Sequence, residues 1–213
     1  MTVYTNHGKG RCDLEHVRRR ITTGIFSGIL DIQEAMDLVD ISAEQIGEYC
    51  CIASEIRDYG KGNVITYSPK VFIPLTKLCR DTCGYCTFRK DPGYEHSYMS
   101  PEEVLNLAVN GEQVGCTEAL FTLGERPEQK YDIAKQWLAR YGYSSTIEYL
   151  VQMNRLVFEK TNVLPHSNPG TLSRRELKML KPYNASMGLM LESISSKLYA
   201  TNGPHENAPS KRP

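Results

Sequence analysis

The sequence predicts an α/β fold with a parallel sheet, the front part of a TIM-like (β/α) barrel behind a helical N-terminal region. Three observations carry this. From about residue 66 onward, short apolar runs alternate with capped helices, giving strand, helix, strand, helix, strand, helix, strand. The first run leads directly into a loop holding Cys79, Cys83 and Cys86. Later strand ends are polar, and strand C-termini are where such barrels gather their active sites.

Residues 1–66 read as a helical region and 67–213 as the barrel-forming core. Arg18-Arg19-Arg20 followed by the stretch Ile21 to Leu30 mimics a secretory leader. Thr, Gly and Ser interrupt that stretch, Asp31 follows at once, and a small-residue cleavage site is missing, so an amphipathic surface helix is the better reading. Ser42-Ala43-Glu44-Gln45 has the form of a capping box, and Ile46, Cys50, Ala53 and Ile56 then recur at helical spacing until Gly60 and Gly62. Cys50 and Cys51 are expected to pack as small apolar residues.

In the core, Val71 to Leu75 is the first strand. Ser100-Pro101-Glu102-Glu103 opens a helix with a Ser cap, Pro in the first turn and Glu three residues on, ending near Gly115. Thr117 to Thr122 follows as a strand and closes on Gly124-Glu125. Two helices come next, the second opened by the capping box Ser145 to Glu148. Asn162 to His166 reads as a short strand, Ser173 to Glu176 caps another helix, and Ala185 to Leu191 is the last apolar strand. Trp137 and the tyrosines of 141–149 fall at helical spacing and are assigned to the core.

About four βα units fit between residue 66 and the end, fewer than a barrel needs to close. The turn-rich tail from Thr201 to Pro213 offers no fifth strand. A four-strand parallel sheet keeps two unpaired edges, which soluble proteins usually avoid. The expectation is therefore an incomplete barrel, poorly soluble or inactive until a second fragment completes it.

Composition narrows the function classes. Basic and acidic side chains balance at 25 each and form no basic stripe, which argues against nucleic acid as a partner. No run approaches the roughly 18 apolar residues of a membrane span, which argues against a membrane. Seven cysteines is an odd number, and three crowd into 79–86. That pattern suits a metal site in a reducing compartment rather than a disulfide framework, and so the cytoplasm.

Three thiolates at x3 and x2 spacing, on a loop after a strand, can each bind one iron of a 4Fe–4S cube, leaving the fourth iron without a protein ligand. A small molecule can chelate that iron through an amine and a carboxylate. The alternative is structural zinc, which wants four closed ligands and would need a distant fourth such as His96, Cys116 or His166. Cys116 itself, at a helix-to-strand turn on the opposite end, is assigned to packing. Asn168, after the third strand, and Glu192, after the fourth, stand where cofactor or substrate would be met; capping and turn formation are the alternative for each.

The Cys79-x3-Cys83-x2-Cys86 loop resembles the radical S-adenosylmethionine (SAM) superfamily. The resemblance implies a 4Fe–4S cluster on these three cysteines, SAM at the open iron, and cleavage of SAM by one electron to a 5′-deoxyadenosyl radical. It also implies that Tyr85 packs beside the SAM adenine and that Gly124-Glu125 meets the SAM amino group.

The surrounding words are more specific. Val71 to Arg80, Cys83 to Arg89, Gly115 to Glu128, Ser145 to Leu150, Leu164 to Gly170 and Asn184 to Ser193 are similar to the FO synthase subunit 1 family. The similarity runs from about Tyr67 to Pro213 and loosely into the helical region. It implies a ring-closing lyase that forms the deazaflavin FO from a hydroxybenzyl–ribityluracil adduct with loss of ammonia. It further implies FO synthase subunit 2 as supplier of that adduct, and a flavodoxin or ferredoxin as electron donor. The competing readings are another radical SAM enzyme, of tyrosine-lyase or futalosine-cyclase type, and an inactive metal-binding fragment. Family members continue well past Pro213.

Overall fold

The computed structural model describes residues 38–211 apart from 63, 94 and 95, together with Ile32 and Met36. The leader-like stretch 18–31 and Cys12 lie outside the described residues. Two compact units emerge, Met1–Thr66 and Tyr67–Pro213.

In the first unit, a 3-10 turn at Leu38–Asp40 precedes helix α1, Ile46–Lys61. The helix starts later than the Ser42 box predicts, because the box is only half made. Gln45 Oε1 accepts the Ser42 N–H at 3.0 Å, but the Gln45 N–H goes to the Ser42 carbonyl rather than to its hydroxyl. The apolar face is also rotated from the expected one. Ile52 is buried, with Tyr49 and Ile56 half-buried at three- and four-residue spacing, whereas Ile46, Cys50, Cys51 and Ala53 are exposed. The assignment of Cys50 and Cys51 to packing is thereby corrected.

The second unit contains a four-stranded sheet in which β1 (Lys70–Thr76), β2 (Glu118–Leu123), β3 (Leu164–Asn168) and β4 (Ser186–Met187) pair in sequence order, all parallel. The order never reverses, as it would in a doubly wound sheet, so the strands progress as the staves of a barrel do. Helices α2 (Pro101–Gln113), α3 (Asp132–Arg140), α4 (Thr146–Lys160) and α5 (Arg174–Leu180) fill the crossovers.

Local chemistry explains the helix starts. Ser100 with Glu103, and Ser173 with Glu176, form complete capping boxes. The Ser145 hydroxyl accepts from the Glu148 N–H, but the Glu148 carboxylate turns to Ser144 instead of closing a box.

Alternation decides the two faces of the sheet. Val71, Ile73 and Leu75 of β1, Ala119, Phe121 and Leu123 of β2, and Pro165 and Ser167 of β3 are buried, and α2 and α4 pack against β1 and β3. Gly111 lets α2 come down onto the sheet, since a Cβ there would stand 2.5 Å from the Cβ of Val71. The opposite face, carrying Phe72, Leu120, Thr122, His166 and Asn168, is only half-buried or exposed. Tyr98, Trp137, Tyr141, Tyr143 and Tyr149 pack ring on ring at 4.4–5.9 Å; Tyr149 is buried and Trp137 and Tyr143 half-buried, as assigned to the core, whereas Tyr141 is exposed at the edge of the cluster.

The last strand departs from the prediction. Only Ser186 and Met187 pair with β3, and Leu189, Met190 and Leu191 are exposed. Beyond Gly188 the chain turns on itself, with Leu191 N–H to Leu189 O at 3.1 Å and Ser193 N–H to Leu191 O at 2.9 Å in place of ladder bonds. The tail forms 3-10 turns at Ser196–Tyr199 and Pro209–Lys211. Among the described residues, no helix is long and apolar enough to cross a membrane.

Candidate functional site

The cysteines lie on the long loop that leaves the C-terminal end of β1. Its base is pinned to the strand. Met99 N–H donates to Leu75 O at 2.9 Å and Lys90 N–H to Lys77 O at 3.0 Å. Thr76 Oγ1 donates to Ser97 O at 2.6 Å and accepts from Leu78 N–H at 3.2 Å.

Within the loop, Cys79 and Cys83 are half-buried and Cys86 is exposed. Cys86 N–H donates to Cys83 O at 3.1 Å, closing a turn between the second and third cysteines. Two sulfurs receive backbone donors: Glu125 N–H reaches Cys79 Sγ at 3.1 Å, and Arg89 N–H reaches Cys86 Sγ at 3.4 Å. Burial pushes the Cys79 thiol up to about 11, against the pull of the Glu125 donor. Burial also raises Cys83, with Asp81 adding to it and Lys211 and the Tyr85 hydroxyl opposing. A metal that displaces these protons therefore binds more tightly as pH rises.

The donor set fits an iron–sulfur cube. Three soft sulfurs sit on one short loop, and backbone N–H groups aimed at two of them suit thiolate ligands of such a cluster. Among the described residues, no three His, Cys, Asp or Glu side chains stand close enough to hold a single ion. Of the suggested fourth zinc ligands, Cys116 precedes β2 at the far end of the sheet and His166 Nδ1 is 3.0 Å from Glu118 Oε2, while His96 stands exposed farther along the same loop as the cysteines.

Gly124 and Glu125 follow β2 and lie directly against the cysteine loop. A Cβ on Gly124 would stand 1.8 Å from Leu78 O and 2.9 Å from the Cβ of Cys79. Only glycine permits this approach. Gly124 N–H donates to Thr76 O at 2.9 Å, and Glu125 O accepts from Arg80 N–H at 2.8 Å, so backbone bonds sew the two loops together.

The Glu125 carboxylate is 6% exposed and occupied. It pairs with Arg80 at 3.1 Å and accepts from Thr171 N–H at 2.9 Å and from its hydroxyl at 2.6 Å. Arg126, in the left-handed region at φ 35°, grips Glu176 through two N–H···O bonds of 2.9 Å and also reaches Thr171 O. Lys130 Nζ reaches Arg80 O at 3.2 Å and Thr82 Oγ1 at 2.9 Å. The loops after β1, β2 and β3 are thus one cross-linked surface.

The other sequence-predicted residues are dispersed around it. Tyr85 is 50% exposed, its hydroxyl 2.8 Å from His205 Nε2. Asn168 ends β3 half-buried beside Gly188. Glu192 is exposed, at φ 67°, and pairs with Lys211 at 3.5 Å. Arg80, Arg126, Thr171 and His205 were not singled out from the sequence. The two arginines adjoin motif residues, which is a weak signal, and His205 in a turn-rich tail gives none.

The Radical SAM superfamily profile matches residues 73–211. The chain belongs to the radical SAM superfamily. Among its relatives, 7,8-didemethyl-8-hydroxy-5-deazariboflavin synthase of Methanopyrus kandleri is 53% identical over 151 residues, 70% of this chain and 45% of that protein. FO synthase of Mycobacterium leprae is 44% identical over 205 residues, covering 89% of this chain and 23% of that protein. The resemblance to FO synthase is therefore borne out, while the chain spans less than half the length of either relative. Two solved structures share the fold of this radical SAM chain. Methylornithine synthase matches with TM-score 0.64 at 16% identity, covering 92% of this chain and 55% of that one. The FeFe-hydrogenase maturase HydG from Carboxydothermus hydrogenoformans matches with TM-score 0.66 at 20% identity, covering 93% and 43%.

Proposed function

We propose that this chain is the ring-closing radical SAM component of FO synthesis, a lyase acting on a hydroxybenzyl–ribityluracil adduct with release of ammonia. The observation that supports it most is the pairing of the Cys79, Cys83, Cys86 loop with Gly124-Glu125 in a chain 53% identical to a deazariboflavin synthase over 151 residues.

Cys79, Cys83 and Cys86 would hold a 4Fe–4S cluster with one iron open to SAM. Such a cluster, when bound, supplies the single electron that splits the SAM sulfonium and so starts radical chemistry. The chain's own work is binding and orientation. The N–H groups of Glu125 and Arg89 stabilise the Cys79 and Cys86 sulfurs. Gly124 brings the β2 end against the cysteine loop, where the backbone would meet the amino group of SAM, and the buried Glu125 keeps the loops in register. Tyr85 offers its exposed ring to the adenine. Asn168 and Glu192 are assigned to SAM or substrate, Asn168 from the end of β3 and Glu192 from the turn after β4. A sister radical SAM subunit supplies the adduct, a flavodoxin or ferredoxin supplies electrons, and the cytoplasm is the compartment.

The test is product analysis. The chain, completed by the remaining length of a deazariboflavin synthase and reconstituted anaerobically, is incubated with tyrosine, diaminouracil substrate, SAM, reductant and the sister subunit. A fluorescent deazaflavin that requires this chain supports the reading. Its absence, in a mixture where an authentic subunit 1 gives product, overturns the assignment for this chain.

A further inference from the structure

The segment after β4 returns to the cysteine loop. Thr82 N–H donates to Asn207 O at 2.7 Å and Gly84 N–H to Pro204 O at 2.8 Å. Asp81, 3% exposed, accepts from Ser210 N–H at 3.1 Å and from its hydroxyl. Residues 204–210 are thereby laid along 81–85, with Thr82 and Asn207 forming an antiparallel bridge.

Inside this strap sits His205, fully buried. Its Nε2 is 2.8 Å from the Tyr85 hydroxyl. Its ring centroid lies 5.4 Å from the Tyr85 ring and 5.4 Å from the Tyr199 ring. Its Nδ1 is buried with no hydrogen-bond partner. A buried ring nitrogen without a partner counts against stability, and a phenyl ring would fill the same space at no such cost. A phenyl ring cannot hold a hydroxyl. Tyr85, between two cysteines of the loop and half exposed, is held at its outer end through that hydroxyl, which meets His205 and also lies against the Cys83 thiol.

We propose that His205 is a positioning residue that fixes the ring of Tyr85, so that its exposed face forms one wall of the nucleoside site beside the cysteine loop. His205 acts through Tyr85 and touches neither cluster nor substrate. The inference rests on the radical SAM reading of the loop, which the iron content and the SAM-shifted electron resonance of the wild-type chain test separately.

The variants are His205→Phe, His205→Gln and Tyr85→Phe, in the chain as it stands. After anaerobic reconstitution, His205→Phe is expected to keep wild-type iron and melting temperature while its SAM dissociation constant rises about tenfold. Tyr85→Phe should weaken SAM to a similar degree, the double variant no further, and His205→Gln, whose amide can reach the hydroxyl, should restore most of the loss. Unchanged SAM affinity in His205→Phe, losses that add, or iron lost in step with affinity would each overturn the proposal. The metal-free chain gives an independent reading by NMR. In His205→Phe, the Tyr85 ring signals should average while the amides of Thr82 and Gly84 keep their exchange protection. Loss of that protection as well would make His205 part of the packing of the strap and nothing more.

Discussion

The backbone N–H of Glu125 points at Cys79 Sγ from 3.1 Å, binding the end of β2 to the first cysteine of the β1 loop. That contact exists because Gly124 has no side chain. Gly124→Ala would put a Cβ 1.8 Å from Leu78 O. We expect a loss of roughly 3 kcal/mol and failure to retain iron. Gly60→Ala, on α1 with nothing within 4 Å, should be neutral or stabilise by at most ~1 kcal/mol. Urea unfolding and iron content after reconstitution check both.

Thiol reactivity should follow burial. In the metal-free chain at neutral pH, iodoacetamide should label exposed Cys86 before Cys79, whose thiol burial raises to about 11. Cys50 and Cys51, exposed on α1, should also label early. Peptide mapping of a time course reads the order, and Cys79 labelling first would contradict the geometry.

The Arg126–Glu176 pair ties the β2 loop to α5 and gives a pH signature. Arg126 holds the Glu176 carboxyl down at about 2, from 4.5. A carboxyl with a depressed folded-state value stabilises above its unfolded value and loses that contribution as pH falls through the folded one. The pair should therefore contribute ~2 kcal/mol above pH 4.5, fading toward pH 2. Glu176→Gln should unfold at lower urea than wild type near neutral pH, and the gap should close across that window. A gap independent of pH would sink the assignment.

Much of this was legible in the sequence where local rules agree. The serine caps at 100 and 173 carry their Glu partners three residues on, and β1 and β2 are short apolar runs bounded by polar residues, so those elements fall within a residue of where the pattern puts them. The rule failed at Ser42, where Gln45 closes only half the box. It failed again at Leu189 to Leu191, an apolar run that forms local turns in place of sheet pairing. The cysteine loop was readable because its spacing is itself the chemistry. The Tyr85–His205 contact spans 120 residues, and no local pattern encodes it.

Buried polar support should be equally sensitive. Glu128, 8% exposed, accepts from the Thr146 N–H at 3.3 Å and from its hydroxyl at 2.5 Å, and the Tyr98 hydroxyl is 2.6 Å from that same Thr146 oxygen. Glu128→Ala leaves the start of α4 without these acceptors and should cost ~2 kcal/mol, measured as a lower urea midpoint at unchanged slope. Glu128→Gln, keeping one acceptor oxygen, should cost less.

On the proposed reading, Cys79, Cys83 and Cys86 hold a cluster with an iron left for SAM. Anaerobic reconstitution followed by electron resonance with and without SAM tests it most directly. About four irons and four sulfides per chain are expected, with a reduced-state signal that shifts when SAM is added, and loss of both in Cys83→Ala. Stoichiometric zinc with no iron, or a full cluster whose signal ignores SAM, would contradict it.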